Sequence, residues 1–194
     1  MLCKYNRAQT AVEDSVSTIS GKSEIIMENI TIRLAVPADA PDMAEVHIRS
    51  WKAAYKDIIP ADFIREKNAG RHELYKRIIT DENTNTYVIQ YDRKTVGIMR
   101  VAPPHDTDLD ESHYELHFIY LHPDYFRKRI GAYTMVFAFR VARDLGKTAM
   151  TVWVLAENVN SINFYEKCGF AADGKTDTYE CGKTMTIIRM RKGL

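Results

Sequence analysis

Hydrophobic and polar positions along the chain alternate between a strand-type and a helix-type period. Residues 30–35 alternate between apolar and polar side chains, as a half-buried strand does. After Pro37, the residues Met43, Val46 and Trp51 follow the spacing of an amphipathic helix. The start of this pattern therefore predicts a strand followed by a helix, and the alternation continues to the end of the chain.

The whole pattern predicts the element order β-αα-β-β-β-α-β-α-β. Strands are predicted at residues 30–35, 87–91, 95–101, 113–121, 148–155 and 184–190. Helices are predicted at residues 37–55, 60–79 with an interruption at Gly70, 130–145 and 158–167. Because this order has only two strand–helix–strand crossovers, a fully parallel doubly wound sheet is disfavoured. The sequence predicts an α/β protein with a mixed sheet and helices on both faces.

Composition narrows the class of protein. The 194 residues are 45% hydrophobic and 27% charged, which excludes a disordered chain and indicates one globular domain. With 27 basic and 26 acidic residues the formal charge is +1, so we expect no nucleic-acid partner. No apolar stretch is long enough to cross a membrane, and no membrane partner is expected. Three cysteines without a metal-binding spacing predict free thiols, no metal and a cytoplasmic location.

The first 26 residues differ from the rest of the chain. They are polar, have no apolar core typical of a secretory signal, and contain Ser15, Ser17 and Ser20 close together. A short helix over residues 10–18 is compatible with their pattern. We expect residues 1–26 to be an N-terminal arm, with a homodimer contact as one role for it, and residues 27–194 to be the functional domain.

The segment 154–170 carries the most specific motif. It has the sequence VLAENVNSINFYEKCGF, which alone predicts a strand, an Asn cap at Asn158, a short helix and a stop at Gly169. The pattern N-x-N-S/A-x-x-F-Y-E-K-x-G-F also resembles motif B of the GCN5-related N-acetyltransferase (GNAT) family. The resemblance extends over about residues 30–192, and it implies that family's fold, a mixed, mostly antiparallel sheet flanked by helices.

A second segment, residues 115–132, resembles the fourth strand and motif A of the same family. It has the sequence ELHFIYLHPDYFRKRIGA, in which backbone N–H groups of residues 127–132 open a predicted helix. A helix N-terminus with nearby basic side chains is suited to the pyrophosphate of coenzyme A. Two positions depart from the family pattern: Phe126 stands at a Gln/Arg position and Arg129 at the first glycine position. We expect Arg129 to serve there only with a negative φ, and Gly131 to let the backbone approach the phosphates.

A third segment, residues 46–60, contains a W-x-x-x-Y-x-x-x-x-P run that resembles the acceptor region of many family members. In it, Trp51 and Tyr55 are one helical turn apart. The resemblance assigns them to acceptor binding, and core packing is the alternative for Trp51.

The resemblance implies transfer of an acetyl group from acetyl-CoA to an amine, with Tyr165 as general acid and Glu115 as general base. His113 and His117, on the same face as Glu115 by strand alternation, are alternative bases. Cys168 is expected to pack rather than act as a nucleophile. The residues expected to bind the coenzyme are Ile119, Tyr120, Leu121, Arg127, Lys128, Arg129, Ile130, Gly131, Ala132, Asn158, Asn160, Phe164 and Lys167.

The identity of the acceptor is left open by the sequence. We expect a small-molecule amine such as a polyamine or an amino acid, and a closed acceptor pocket would distinguish it from a peptide amine in an open groove. A non-catalytic module that binds acyl-CoA is the alternative outside enzymes. The acidic residues Asp106, Asp108, Asp110 and Glu111 either attract a cationic acceptor or form a solvated tip.

Overall fold

The computed structural model describes residues 29–79 and 85–194, and the backbone of three short strands before them. The strands are β1 (Thr18–Ile19), β2 (Lys22–Ser23), β3 (Ile25–Met27), β4 (Ile30–Leu34), β5 (Asn85–Tyr91), β6 (Lys94–Ala102), β7 (His113–Leu121), β8 (Ala149–Leu155), β9 (Ala171–Glu180) and β10 (Thr184–Gly193). The helices are α1 (Ala40–Tyr55), α2 (Ala61–Ala69), α3 (Arg71–Ile78), α4 (Ile130–Asp144) and α5 (Val159–Lys167).

Eight strands form one mixed sheet in the order β3-β4-β5-β6-β7-β8-β10-β9. Every neighbouring pair is antiparallel except β7 and β8, which are parallel. A parallel pair needs a long crossover, and α4 supplies it between these two strands. The predicted mixed, mostly antiparallel sheet flanked by helices is confirmed.

The helices cover the two faces of the sheet. On one face, Phe137 and Ala138 of α4 are fully buried in a cluster with Leu116 of β7 and Met150 of β8. On the other face, Met43 of α1 is buried in a cluster with strand residues of β5 and β6. The functional site described below lies where the sheet opens between these two layers.

The strand β9 was not predicted from the sequence. Its ten residues, AADGKTDTYE, are all exposed and include no apolar alternation, because β9 is the edge strand and pairs only with β10. Without a buried face the hydrophobic pattern carries no strand signal. The other predicted strands and helices are present, with ends that differ by a few residues.

The start of the main sheet overlaps the predicted N-terminal arm. Ile25–Met27 forms β3, which pairs with β4 through a tight turn at Asn29, whose φ is 74°. The arm as a separate unit stays a prediction. The helix considered over residues 10–18 lies outside the described residues except for Thr18, which begins β1.

Candidate active site

The parallel strands β7 and β8 diverge and leave a gap in the middle of the sheet. They pair only at His113, Tyr114 and Glu115, whereas β7 stays paired with β6 as far as Leu121. Within the described chain, the edge of β7 after Glu115 has no strand partner on the β8 side. Backbone N–H and C=O groups along this edge are therefore available to an extended ligand. Ile119, Tyr120 and Leu121, the residues predicted to bind the coenzyme arm, lie on this stretch.

A bulge in β7 redirects the side chains that follow it. Arg100 of β6 pairs with Phe118 but Val101 pairs with Leu116, so His117 is an extra residue in β7. Leu116 therefore packs on the α4 face, while Phe118 and Tyr120 pack against residues of the opposite layer. Strand alternation is interrupted at His117, so its face does not follow from alternation. The His117 ring lies 4.8 Å from the ring of His105, whose backbone N–H donates to Glu115.

The N-terminus of α4 offers free backbone donors. The helix begins at Ile130, and no side chain caps it from the preceding residue, Arg129. The φ of Arg129 is 63°, so the condition of a negative φ is not met, and Arg129 has the left-handed backbone that glycine favours. A left-handed residue followed by helical backbone forms a concave set of N–H groups suited to an anion. Arg127 also has a positive φ, 61°, and each such non-glycine residue costs about 1–2 kcal/mol.

The basic side chains before α4 are exposed and do not block it. Arg127, Lys128 and Arg129 all lie at the surface, and Phe126 is 44% exposed. The Lys128 ammonium lies 4.8 Å from the centre of the Tyr125 ring, where cation–π attraction holds it. Neither Phe126 nor Arg129 is packed into the interior.

Gly131 allows α4 and α5 to approach each other. A Cβ on Gly131 would lie 3.2 Å and 3.3 Å from two ring carbons of Phe164. A side chain at this position would have to displace the Phe164 ring by a few tenths of an ångström, so close packing favours glycine here. That Gly131 also lets the backbone approach the phosphates stays a prediction. On α5, Asn160 and Lys167 are exposed on the helix face that Phe164 shares. The predicted coenzyme residues of α4 and α5 therefore lie on adjoining parts of these two helices.

Asn158 caps α5 with its side-chain oxygen, and its side-chain Nδ2 is buried. Its Oδ1 accepts a hydrogen bond of 3.1 Å from the backbone N–H of Ser161, as the cap motif predicts. Its side chain is 4% exposed, and Nδ2 has no close hydrogen-bond partner in the described chain. The Tyr55 hydroxyl is near enough for this amide to offset part of the rise that burial causes in the pKa of Tyr55. A buried unpaired amide is one sign of a place where a ligand completes the site.

Tyr165 connects the two layers at the gap. Its ring is buried in the α4 face cluster, 5.8 Å from the ring of Phe170. Burial raises the pKa of Tyr165, and the neighbouring hydroxyls of Tyr55 and Tyr120 raise it further. These two tyrosines belong to the opposite layer, so the Tyr165 hydroxyl lies near groups from both sides of the sheet. It is protonated at neutral pH.

Aromatic side chains line the layer opposite α4. The Tyr120 ring lies 4.2 Å from the ring of His47, and the Trp51 ring lies 5.5 Å from His47 and 5.3 Å from Tyr55. His47 Nδ1 and the Tyr75 hydroxyl are 2.7 Å apart. Burial, with a contribution from the charge of Arg71, lowers the pKa of His47 to about 2, so this histidine is neutral.

Two polar residues of this layer were given no role in the site by the sequence analysis. His47 lies on the helical stripe that predicts α1, one turn before Trp51, but the stripe carries no signal for a function. Arg71, the first residue of α3, lies with its guanidinium 4.4 Å from the centre of the Trp51 ring and is 8% exposed. A single arginine after Gly70 carries no sequence signal for burial.

The hairpin of β9 and β10 closes this side of the site. Its turn contains Gly182 with a φ of 79°, and a Cβ there would lie 3.4 Å from side-chain atoms of Phe63 and Pro60. Cys181, fully buried in this turn, belongs to the same cluster as Trp51. The hairpin is therefore packed on α1 and α2, and the layer around Trp51 is covered.

Glu115 is buried beside the opening of the sheet. It is 6% exposed and accepts a 3.3 Å hydrogen bond from the backbone N–H of His105. Burial raises its pKa above the ordinary value. It belongs to the paired part of β7, and the bulge places it on the same face as Phe118. His113 is engaged with Asp110, 2.8 Å away, at the start of β7.

Two members of the acidic run neutralise a buried arginine. Arg189 is 5% exposed, and its guanidinium donates two hydrogen bonds to Asp108, at 3.0 and 2.9 Å, and one to Asp173 at 2.7 Å. Asp106 lies 3.5 Å from the same guanidinium and accepts a hydrogen bond from the indole of Trp153. Asp106, 13% exposed, fits neither alternative, whereas Asp108 is 43% exposed as well as paired with Arg189. Asp110 is exposed, as the second alternative expects.

In the described part of the chain, no helix is long and apolar enough to cross a membrane, and no cluster of His, Cys, Asp and Glu could hold a metal ion. The free β7 edge, the uncapped α4 N-terminus and the unpaired Asn158 amide together fit an extended, phosphorylated coenzyme.

Comparison with known proteins agrees with this geometry. The model of the acetyltransferase (GNAT) family matches residues 51–170. An uncharacterized N-acetyltransferase of Bacillus subtilis, YuaI, is 28% identical over 137 residues, which cover 71% of this chain and 78% of that protein. The fold is similar to that of the PaiA N-acetyltransferase from Thermoplasma acidophilum in complex with coenzyme A, with a TM-score of 0.71, 22% identity and coverage of 85% of this chain and 99% of that one. It is also similar to that of the spermidine N-acetyltransferase SpeG from Vibrio cholerae, with a TM-score of 0.62, 19% identity and coverage of 86% and 95%. The chain therefore belongs to the acetyltransferase (GNAT) family and is an acetyl-CoA-dependent N-acetyltransferase.

Proposed function

We propose that the enzyme acetylates the amine of a small molecule, which attacks the bound acetyl group directly in a ternary complex. The observation that carries this proposal is the closure of the acceptor side by the β9–β10 hairpin. Gly182 in its turn contacts α2, and Cys181 is fully buried in the cluster around Trp51. A peptide acceptor needs an open groove across this layer, so the covered layer favours a small amine.

The coenzyme supplies an acyl group activated as a thioester and a thiol as leaving group. The residues proposed to hold it follow the gap in the sheet. The free edge of β7 at Ile119–Leu121 would bind its amide arm, and the N–H groups at the start of α4 would bind its phosphates, with Arg127 and Arg129 adding positive charge. Asn158, Asn160, Phe164 and Lys167 border the same groove on α5.

Tyr165 is proposed as the general acid. A thiolate leaving group has a pKa near 8.5, so a proton donated to its sulfur favours departure at neutral pH. Burial keeps the Tyr165 hydroxyl protonated, and the nearby hydroxyls of Tyr55 and Tyr120 raise its pKa further. Tyr165 packs on the α4 side of the sheet, and the other two tyrosines belong to the opposite side. The proton given to sulfur is replaced from solvent after each turnover.

Glu115 is proposed as the general base. An alkyl amine has a pKa near 10 and must lose a proton before it can attack. Burial raises the pKa of Glu115, which makes its carboxylate a stronger proton acceptor. Because it lies in the paired part of β7, before the gap, we propose that the proton reaches it through water.

The test combines binding and turnover. Acetyl-CoA should bind with micromolar affinity in a calorimetric titration. In a turnover assay with a panel of amines, acetylation should release the free thiol of coenzyme A. Tyr165→Phe should lower kcat by roughly 100- to 1,000-fold with an unchanged coenzyme affinity. Tyr87→Phe is the matched control, since Tyr87 is buried in the same core cluster and its ring packs on Phe137, 4.9 Å away.

Three results would contradict the proposal. If millimolar acetyl-CoA does not bind, the proposed coenzyme site is refuted. Binding without turnover of any amine would favour the non-catalytic module. Equal kcat for the wild type and Tyr165→Phe would remove the assigned acid.

A further inference from the structure

Arg71 carries a buried positive charge that nothing in the described chain neutralises. The residue is 8% exposed, and its Nε and Nη2 atoms are buried without a hydrogen-bond partner. No carboxylate of the described residues forms an ion pair with it. By contrast Arg189, equally buried, is surrounded by three carboxylates. Two buried arginines in one domain thus have opposite environments.

The groups that face Arg71 are all neutral. Its guanidinium lies on the ring of Trp51, and its charge acts on His47, Tyr75, Tyr120 and Tyr179. Stacking on an indole replaces only part of the hydration that a buried cation loses. A charge in this position becomes favourable when an anion binds beside it, because the desolvation is then offset by a charge-assisted hydrogen bond.

The position of Arg71 places it beside Trp51, one of the residues predicted to bind the acceptor. Tyr120 belongs to the free edge of β7, where the acetyl group is proposed to lie, and its ring contacts His47. The charge of Arg71 acts on the Tyr120 hydroxyl, and that hydroxyl in turn raises the pKa of Tyr165. A ligand that extends from the acetyl position into the pocket therefore meets the guanidinium.

We propose that Arg71 binds an oxyanion of the acceptor, so that the substrate is an amine which also carries a carboxylate or a similar anionic group. This assignment rests on the proposed function and deepens it. The Trp51 and Tyr120 rings would pack on the apolar part of such an acceptor, while the guanidinium donates its free N–H groups to the anion. An unsubstituted polyamine would place a second cation beside Arg71 and be repelled.

The acidic residues do not offer polyamines an alternative site. Asp106 and Asp108 are held by Arg189, and Asp110 is hydrogen-bonded to Ser112 and His113. These carboxylates are therefore already engaged by partners within the fold.

The experiment uses matched pairs of amines that differ by a carboxylate. Phenylalanine, leucine and lysine are compared with phenethylamine, 3-methylbutylamine and 1,5-diaminopentane, with spermidine added. The carboxylate member of each active pair should have the higher kcat/KM. Arg71→Met should raise the KM of the carboxylate member by at least about 30-fold and change the KM of the decarboxylated amine by less than threefold. Arg71→Lys should recover part of the loss, and Arg65→Met, at an exposed site on α2, should change nothing.

A preference for the decarboxylated amines or spermidine would overturn the assignment, and so would an equal loss on both members of a pair. If no amine is turned over, the role of Arg71 is tested by thermal unfolding. Arg71→Met should then raise the midpoint of the free enzyme by about 2–4 °C, because an uncompensated buried charge is removed. An unchanged or lowered midpoint would mean that Arg71 is a packing residue. Loss of acetyl-CoA binding by the wild type would instead refute the proposed function, and it leaves the unfolding test of Arg71 valid.

Discussion

Arg189→Met should lower the free energy of unfolding by about 3 kcal/mol. The substitution retains most of the side-chain volume but leaves Asp106 and Asp173, which are 13% and 17% exposed, without their counterion. Breaking a buried ion pair from one side costs about 3–5 kcal/mol. We take the lower end because Asp108 is 43% exposed and can be hydrated. For a chain of this length, that loss corresponds to roughly 6–12 °C in the midpoint of thermal unfolding.

The assay is thermal unfolding followed by circular dichroism from pH 2 to pH 8. Arg191→Met is the matched control, since Arg191 lies two residues further on β10 and is exposed; its midpoint should stay within 2 °C of wild type. Hydrogen bonds from Arg189 hold the pKa of Asp108 at about 2, below its ordinary 3.8. A lowered pKa stabilises the fold above pH 4 and loses this effect as the pH falls toward 2. The difference between wild type and variant should therefore shrink below pH 4. A midpoint for Arg189→Met within 2 °C of wild type at pH 7 would refute the reasoning.

Two further predictions concern the helix packing and the base. Gly131→Val should lower the free energy of unfolding in urea by about 1–3 kcal/mol, because the new side chain meets the Phe164 ring. Adding Phe164→Leu to this variant should recover part of the lost stability. Strict additivity of the two free-energy changes would contradict the contact. Glu115→Gln should lower kcat and remove the acidic limb of the pH–rate profile. Burial raises the pKa of Glu115, so the ionised carboxylate opposes folding at neutral pH. The midpoint of thermal unfolding of Glu115→Gln at pH 7 should therefore equal or exceed that of the wild type. This difference in midpoint should vanish below pH 4.5. A less stable and fully active variant would exclude the assigned base.

Most of the fold could be predicted from the hydrophobic period. The strand β7 and the helices α4 and α5 have buried faces with a regular spacing, so their positions follow from local pattern alone. The strand β9 was not predicted, because an edge strand exposes both faces and its polar sequence shows no period. The mixed topology followed from counting crossovers rather than from any single element.

The candidate site was predictable only where a motif of consecutive residues carries it. Asn158 and Tyr165 lie in one such segment, and Asn158 caps its helix as predicted. The bulge at His117 was not predictable, since it depends on register between two strands. The left-handed backbone of Arg129 contradicts the residue's own preference, and only the turn between β7 and α4 imposes it.

Sequence by itself determined the order of elements, the family motifs and the residue types available for acetyl transfer, because these depend on neighbours along the chain. The tertiary structure decided which charges are paired. Arg189 meets Asp108, 81 residues earlier in the chain, while Arg71 lies buried on Trp51 with free N–H groups. Burial and pairing are properties of residues brought together from distant segments, so two arginines that look alike in the sequence have different roles in the folded enzyme.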